Sequence, residues 1–226
     1  MTMDRQEIVR LAALATGDEK HEASSYSTLD VLAVLYGEVL RVDPARPDWP
    51  GRDRFILSKG HGPAAFYAVL CLRGFFPETW MPGFMTWGNP LGGHPDRTLV
   101  PGVEASTGSL GHGLALAVGT ALALRAKGIV EPRVVVLTGD AELNEGSNWE
   151  SILLAPQLGL DNLTLVVVDN HSSTLSLTSL DGKLGAFGWD ARAISGRDHG
   201  ALAGALARPP AGGPTAVVAD IPDVPE

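Results

Sequence analysis

Two continuous apolar runs, "RVVVLTGD" (133–140) and "NLTLVVVDN" (162–170), flank the helical pattern "NEGSNWESILLAPQLG" (144–159). Unbroken apolar runs of this length are what a parallel sheet buried on both faces demands. A strand, a helix and a strand in that order form a right-handed crossover. Asp140 and Asn170 then end neighbouring parallel strands, thirty residues apart. Both side chains fall at the carboxyl edge, where open α/β sheets bind ligands. Asp and Asn oxygens are hard ligands that suit Mg²⁺ or Ca²⁺ better than zinc. Mg²⁺ with few protein ligands completes its shell from phosphate and water. A phosphate-bearing cofactor held through a divalent ion is one reading. The other is that Asp140 caps the next helix and Asn170 starts a turn.

The rest of the chain extends the alternation. Helical spacing marks 5–16 and 27–41, the second capped by Ser27 or Thr28. A short strand is expected at 53–58. A helix follows through "GHGPAAFYAVLCLRG", with Pro63 near its first turn. Residues 75–101, rich in Gly, Pro and Trp, predict a long structured loop with one helical turn. "GSLGHGLALAVGTALALRAKG" (108–128) predicts an apolar helix entered through glycines. Its Gly and Ala faces suit close packing against a partner helix. Pro156 is expected to disturb the helix that contains it. A further helix, strand, helix and strand follow, through "LDGKLGAFGWD", "ARAIS", "DHGALAGALA" and "PTAVVADI". The fold class is therefore α/β, three-layer, with a mainly parallel sheet and helices on both faces, as one domain over 1–226.

Composition excludes several functions. A net charge of −9 gives no basic surface for nucleic acid. The single cysteine, Cys71, rules out an internal disulfide or a cysteine metal cluster, and its helix gives it a packing role. No run of 18 apolar residues suggests a membrane span, and no signal peptide is recognisable. A soluble, reducing, cytoplasmic setting is expected.

Glycine loops sharpen the site. "SKGHG" (58–62) lies between a strand and a helix, where backbone N–H groups meet anions. "STGSLGHG" (106–113) opens another helix. Neither is a P-loop, and G-S-L-G-H-G is not the dinucleotide fingerprint. His61, His94, His112 and His171 sit in or beside such loops. Histidines converging on one edge would suit proton exchange near neutral pH.

Three blocks, "DRFILSKGHGPAAFYAVL", "GGHPDRTLVPGVEASTGSLGHGLALAVGTALAL" and "GDAELNEGSNWESILLA…LDNLTLVVVDN", resemble the N-terminal half of transketolase. That half is the domain that binds the diphosphate of thiamine diphosphate. The resemblance spans about residues 5–219. It implies Asp140, Asn170 and the Ser172 carbonyl as Mg²⁺ ligands. Gly139, Asp140, Ala141, Glu142 and Asn170 would surround the diphosphate. Gly108, Ser109 and Leu110 would line the cofactor's ring pocket. His61 would touch the diphosphate and the reacting centre, His94 the donor hydroxyl, and His21 the substrate. Glu145 and Glu150 resemble interface acids; in the family such an acid links paired active sites through the partner's activating glutamate.

Departures from the family pattern accompany it. Ala141 stands where the family usually has Gly, His112 where Gln is common, and "KHEASS" replaces a glycine-rich histidine block. The sequence ends before a pyrimidine-binding domain. The resemblance therefore implies the N-terminal subunit of a split transketolase. A C-terminal subunit would complete it, in an α2β2 assembly that takes a sugar or sugar phosphate as substrate. A decarboxylating thiamine diphosphate reaction is one alternative. A degenerate, non-catalytic scaffold is another.

Overall fold

A computed structural model describes residues 3–15, 22–175, 177–207 and 212–222. Its helices are α1 (Arg5–Ala12), α2 (Glu22–Val34), α3 (Ala64–Leu72), α4 (Gly113–Ala126), α5 (Gly146–Gln157), α6 (Leu180–Ala186) and α7 (His199–Leu206). Its strands are β1 (Arg54–Leu57), β2 (Val134–Gly139), β3 (Leu163–Asp169), β4 (Asp190–Ser195) and β5 (Thr215–Asp220). The strands form one sheet in the order β1-β2-β3-β5-β4. Every pairing is parallel.

Strand side chains alternate between two cores, as a two-sided sheet requires. Phe55, Val135, Val166 and Val217 join α1, α2, α3 and α7 on one face. Ile56, Val136, Leu165 and Val218 join α4, α5 and α6 on the other. The three-layer architecture is thus the expected one. Each fully buried large apolar side chain contributes about 1.5–3 kcal/mol.

An aromatic series carries the first core toward the site. Phe55 and Phe66 rings lie 5.4 Å apart, Phe66 and Tyr67 6.5 Å, and Tyr67 and Phe84 6.1 Å. The Tyr67 hydroxyl donates to Gly92 O at 2.9 Å, two residues before His94. The long loop therefore hangs from the core by a hydrogen bond.

Three local expectations change. The second helix begins at Glu22 rather than Ser27, and ends in a π-helical turn over Leu35–Val39. Ser27 and Thr28 are no caps; their hydroxyls donate back to Ser24 O and Ser25 O at 2.9 and 2.7 Å. The first helix stops at Ala12. Pro156 lies in the last turn of α5, which ends one residue later at Gln157, in line with the expected disturbance. Proline leaves the carbonyl four residues earlier without its helical donor. Here the Trp189 indole N–H donates to that carbonyl, Ile152 O, at 2.8 Å.

Candidate active site

The carboxyl ends of β1, β2 and β3 meet a ring of loops. Asp140, 2% exposed, follows β2. Its carboxylate makes no hydrogen bond to the 3₁₀ turn it precedes, Ala141–Asn144. It is committed instead to the loop after β3. Asp140 Oδ1 accepts from Ser172 Oγ at 2.8 Å, and Oδ2 from Ser173 N at 2.9 Å. Ser172 Oγ also lies 2.8 Å from Asn170 Oδ1. One hydroxyl hydrogen cannot serve both acceptors at once, so three polar side chains converge here on a single shared hydroxyl. His171, between two of them, has the left-handed φ of 57°. That turn folds Ser172 back toward Asp140.

Glycines let the loops approach. Gly108 has a φ of 143°, and a Cβ there would collide with His94 Cδ2. His94 is therefore laid on bare backbone. A Cβ on Gly60 would meet Thr107 Oγ1 at 2.5 Å and Gly108 N at 2.8 Å. Thr107 Oγ1 is buried with no hydrogen-bond partner. The loops bearing His61, His94 and Gly108 are thus in mutual contact. His61 Nε2 lies 3.2 Å from Ser24 Oγ on α2.

Two buried ionisable groups support this edge. Lys59, 4% exposed, donates to Ser24 O at 3.2 Å and Ser27 Oγ at 3.1 Å. Burial pushes its ammonium down to about 8, while the charges of Asp140 and Glu142 pull it upward. Glu142 is 2% exposed. Its Oε1 accepts from Ser58 Oγ and from Gly111 N, the latter at 3.0 Å. Its Oε2 is buried and unpartnered. Burial raises the Glu142 carboxyl above its usual range, against the pull of Ser58, the Gly111 and Gly139 amides, and Lys59. Glu142 thus braces the glycine loop from below. Lys59 received no role from sequence; a lysine is exposed by default, and only its place at a strand end signals otherwise.

The remaining predicted residues divide. Gly139 ends β2, and a Cβ there would lie 3.9 Å from Lys59 Nζ. Ala141 lies in the 3₁₀ turn and outside the positive-φ residues, so its side chain brings no strain. Ser109 is exposed and Leu110 half-buried on the glycine loop. Glu145 and Glu150 are exposed at and on α5. Glu145 packs under Gly111, whose added Cβ would meet Glu145 Cβ at 2.6 Å. His112 turns its Nδ1 to Leu110 O at 3.0 Å, and His171 its Nε2 to Asp220 Oδ1 at 2.9 Å. These two histidines are engaged elsewhere. Cys71 is half-buried, and burial raises its thiol. His21 lies outside the described residues.

The donor set is one carboxylate, one amide and one serine. Among the described residues no group of three or more His, Cys, Asp or Glu converges. Hard oxygens beside helix-entry glycines fit a divalent cation carrying a phosphate. No described helix is long and apolar enough to cross a membrane.

Such an edge defines a class, the parallel α/β proteins that hold a phosphorylated cofactor at their strand ends. Residues 3–212 match the family described as "Transketolase, thiamine diphosphate binding domain", and the chain belongs to that transferase family. It is 48% identical over 206 residues to a protein named Ferredoxin fas2 from Rhodococcoides fascians, covering 91% of this chain and 68% of that one. It is 41% identical over 185 residues to one of the subunits of apulose-4-phosphate transketolase from Actinobacillus succinogenes, covering 79% and 67%. Transketolase from Leishmania mexicana superposes with a TM-score of 0.84 at 29% identity, covering 97% of this chain and 37% of that one.

Proposed function

We propose that this chain is the diphosphate-binding subunit of a two-chain, Mg²⁺-dependent transketolase. It would transfer a two-carbon ketol unit from a ketose or ketose phosphate to an aldehyde acceptor. The observation that carries this reading is the cluster of Asp140, Ser172 and Asn170 oxygens between two strand ends. Bound thiamine diphosphate would supply carbanion stabilisation. This chain would bind and orient. Asp140, Asn170 and the Ser172 backbone carbonyl would hold Mg²⁺, with Gly139, Ala141 and Glu142 beside the diphosphate. Gly108, Ser109 and Leu110 would bound the ring pocket. His61 would touch the diphosphate and the reacting centre, and His94 the donor hydroxyl, with which it could exchange a proton. The unstrained Ala141 favours catalysis over a scaffold role.

A partner would complete the site. The Actinobacillus relative is itself named as one subunit of its transketolase, which supports a split enzyme; the assembly proposed is α2β2. Exposed Glu150 adjoins exposed Leu153 and Leu154 at helical spacing on α5, with exposed Glu145 at that helix's start, a surface suited to an interface.

The test is a thiamine diphosphate titration with and without Mg²⁺, on the full chain co-expressed with its partner. Asp140→Ala is expected to abolish Mg²⁺-dependent binding while cooperative melting persists. Undiminished affinity in the variant would remove the ligand assignment. A wild-type complex that binds both cofactors yet leaves ketose phosphates intact would move the substrate class.

A further inference from the structure

The first turn of α2 faces the loop after β1 and grips it through side chains. Ser25 Oγ accepts from Ala65 N at 2.7 Å. It thereby caps α3 from a neighbouring helix, because Pro63 at that helix's start supplies no side-chain hydrogen bond. Ser24 Oγ lies 3.2 Å from His61 Nε2. Ser24 O accepts from Lys59 Nζ at 3.2 Å and from Ser27 Oγ at 2.9 Å. Ser27 Oγ accepts from the same ammonium at 3.1 Å. One residue, Ser24, therefore touches both basic side chains of "SKGHG".

Neither contact is needed to make the helix. Ala is a better helix former than Ser, and a buried ammonium is costly unless negative charge is close. Asp140 and Glu142 supply that charge. A diphosphate added to Asp140 brings more negative charge than one divalent cation neutralises. Basic groups already held at the strand end would offset the excess without reorganising.

We propose that Ser24 is a positioning residue of the cofactor site, holding the His61 imidazole through its hydroxyl and the Lys59 ammonium through its carbonyl. The inference rests on the proposed cofactor site.

Two variants separate this from mere packing. Ser24→Ala removes the hydroxyl and leaves the carbonyl; Ser24→Thr keeps both. Imidazole nitrogen spectra of the ¹⁵N-histidine-labelled full chain read the His61 tautomer without cofactor. Ser24→Ala is expected to shift the His61 Nε2 signal and to weaken thiamine diphosphate binding by about three- to tenfold, the range of one net hydrogen bond. Ser24→Thr is expected to restore both. Lys59→Met is expected to weaken binding at least as much, with the His61 signal retained. An unchanged His61 signal in Ser24→Ala overturns the inference. So does a changed signal with undiminished cofactor affinity. Absence of cofactor binding by the wild-type complex would overturn the proposed function itself, a result the cofactor-free spectra keep separate from the Ser24–His61 contact.

Discussion

The sheet buries carboxylates at both ends, and treats them differently. At the amino end the Asp53 side chain is fully buried. Its Oδ1 accepts from Arg133 N at 2.8 Å and its Oδ2 from Arg41 N at 2.9 Å. Both guanidinium groups close on it at 3.3 Å. At the carboxyl end Glu142 keeps one oxygen without a partner, Lys59 is held by neutral oxygens, and Asp140 shares a serine with Asn170. A finished ion cluster is a structural device. An unfinished one is where a ligand can complete the accounting of charge and hydrogen bonds.

Substitution should expose the asymmetry. Asp53→Ala leaves two partly buried guanidinium groups and two backbone donors without their acceptor. It is expected to cost about 3–5 kcal/mol, read as a lower denaturation midpoint. An effect below about 1 kcal/mol would make the amino end no tighter than the surface.

Asp30 offers an intermediate case. It is buried on α2 and meets Arg197 and Arg5, with His199 Nε2 at 2.9 Å. Burial alone would raise its carboxyl, but the hydrogen bonds of His199 and Arg197 and the charge of Arg5 hold it below the usual range. A depressed folded-state value gives stability that is present above the ordinary aspartate value, about 3.9, and lost as pH falls through the depressed one. Asp30→Asn is expected to cost about 2 kcal/mol at neutral pH and to flatten the acid limb of the melting curve. An unaltered acid limb would dismiss the cluster.

The smallest effects belong at the carboxyl end. Glu142→Gln keeps an acceptor for Ser58 and Gly111 and removes a buried charge, so its stability at neutral pH should match the wild type within about 1 kcal/mol. A raised carboxyl binds its proton more readily when folded, so that part of the stability declines as pH rises above the ordinary glutamate value. The variant should lose that slope. Lys59 acts with the opposite sign. Its ammonium, lowered to about 8, makes stability rise between about pH 8 and 10.5, and Lys59→Met should abolish the rise. Equal losses at Glu142 and Asp53 would erase the contrast between the two ends.

Much of this was readable in the sequence because burial on both faces leaves unbroken apolar runs. Residues 133–140 and 162–170 predicted β2 and β3 to within a residue at each end, and their last polar residues marked the edge where the loops meet. Boundaries failed where side chains overrule periodicity. Glu22 starts α2 although its first turn reads as polar loop, since Ser24, Ser25 and Ser27 spend their hydroxyls on a neighbour or the preceding turn. Lys59 escaped notice because a lysine is exposed by default, and its place just after a strand end was the one signal against that. The disturbance at Pro156 was legible, but its substitute donor was not, since Trp189 stands 37 residues from the carbonyl it serves.

That indole has a second consequence. β4 is an edge strand whose side chains are all exposed or half-buried, without regular alternation, so its own pattern scarcely distinguishes one alignment from its neighbour. Trp189, 4% exposed, immediately precedes the strand and is tied to Ile152 inside α5. A slip of one residue along β5 would tear the indole from its carbonyl and from its socket. The fastener that mends a proline break in a helix therefore also acts as the indexing pin that sets where the outermost strand begins.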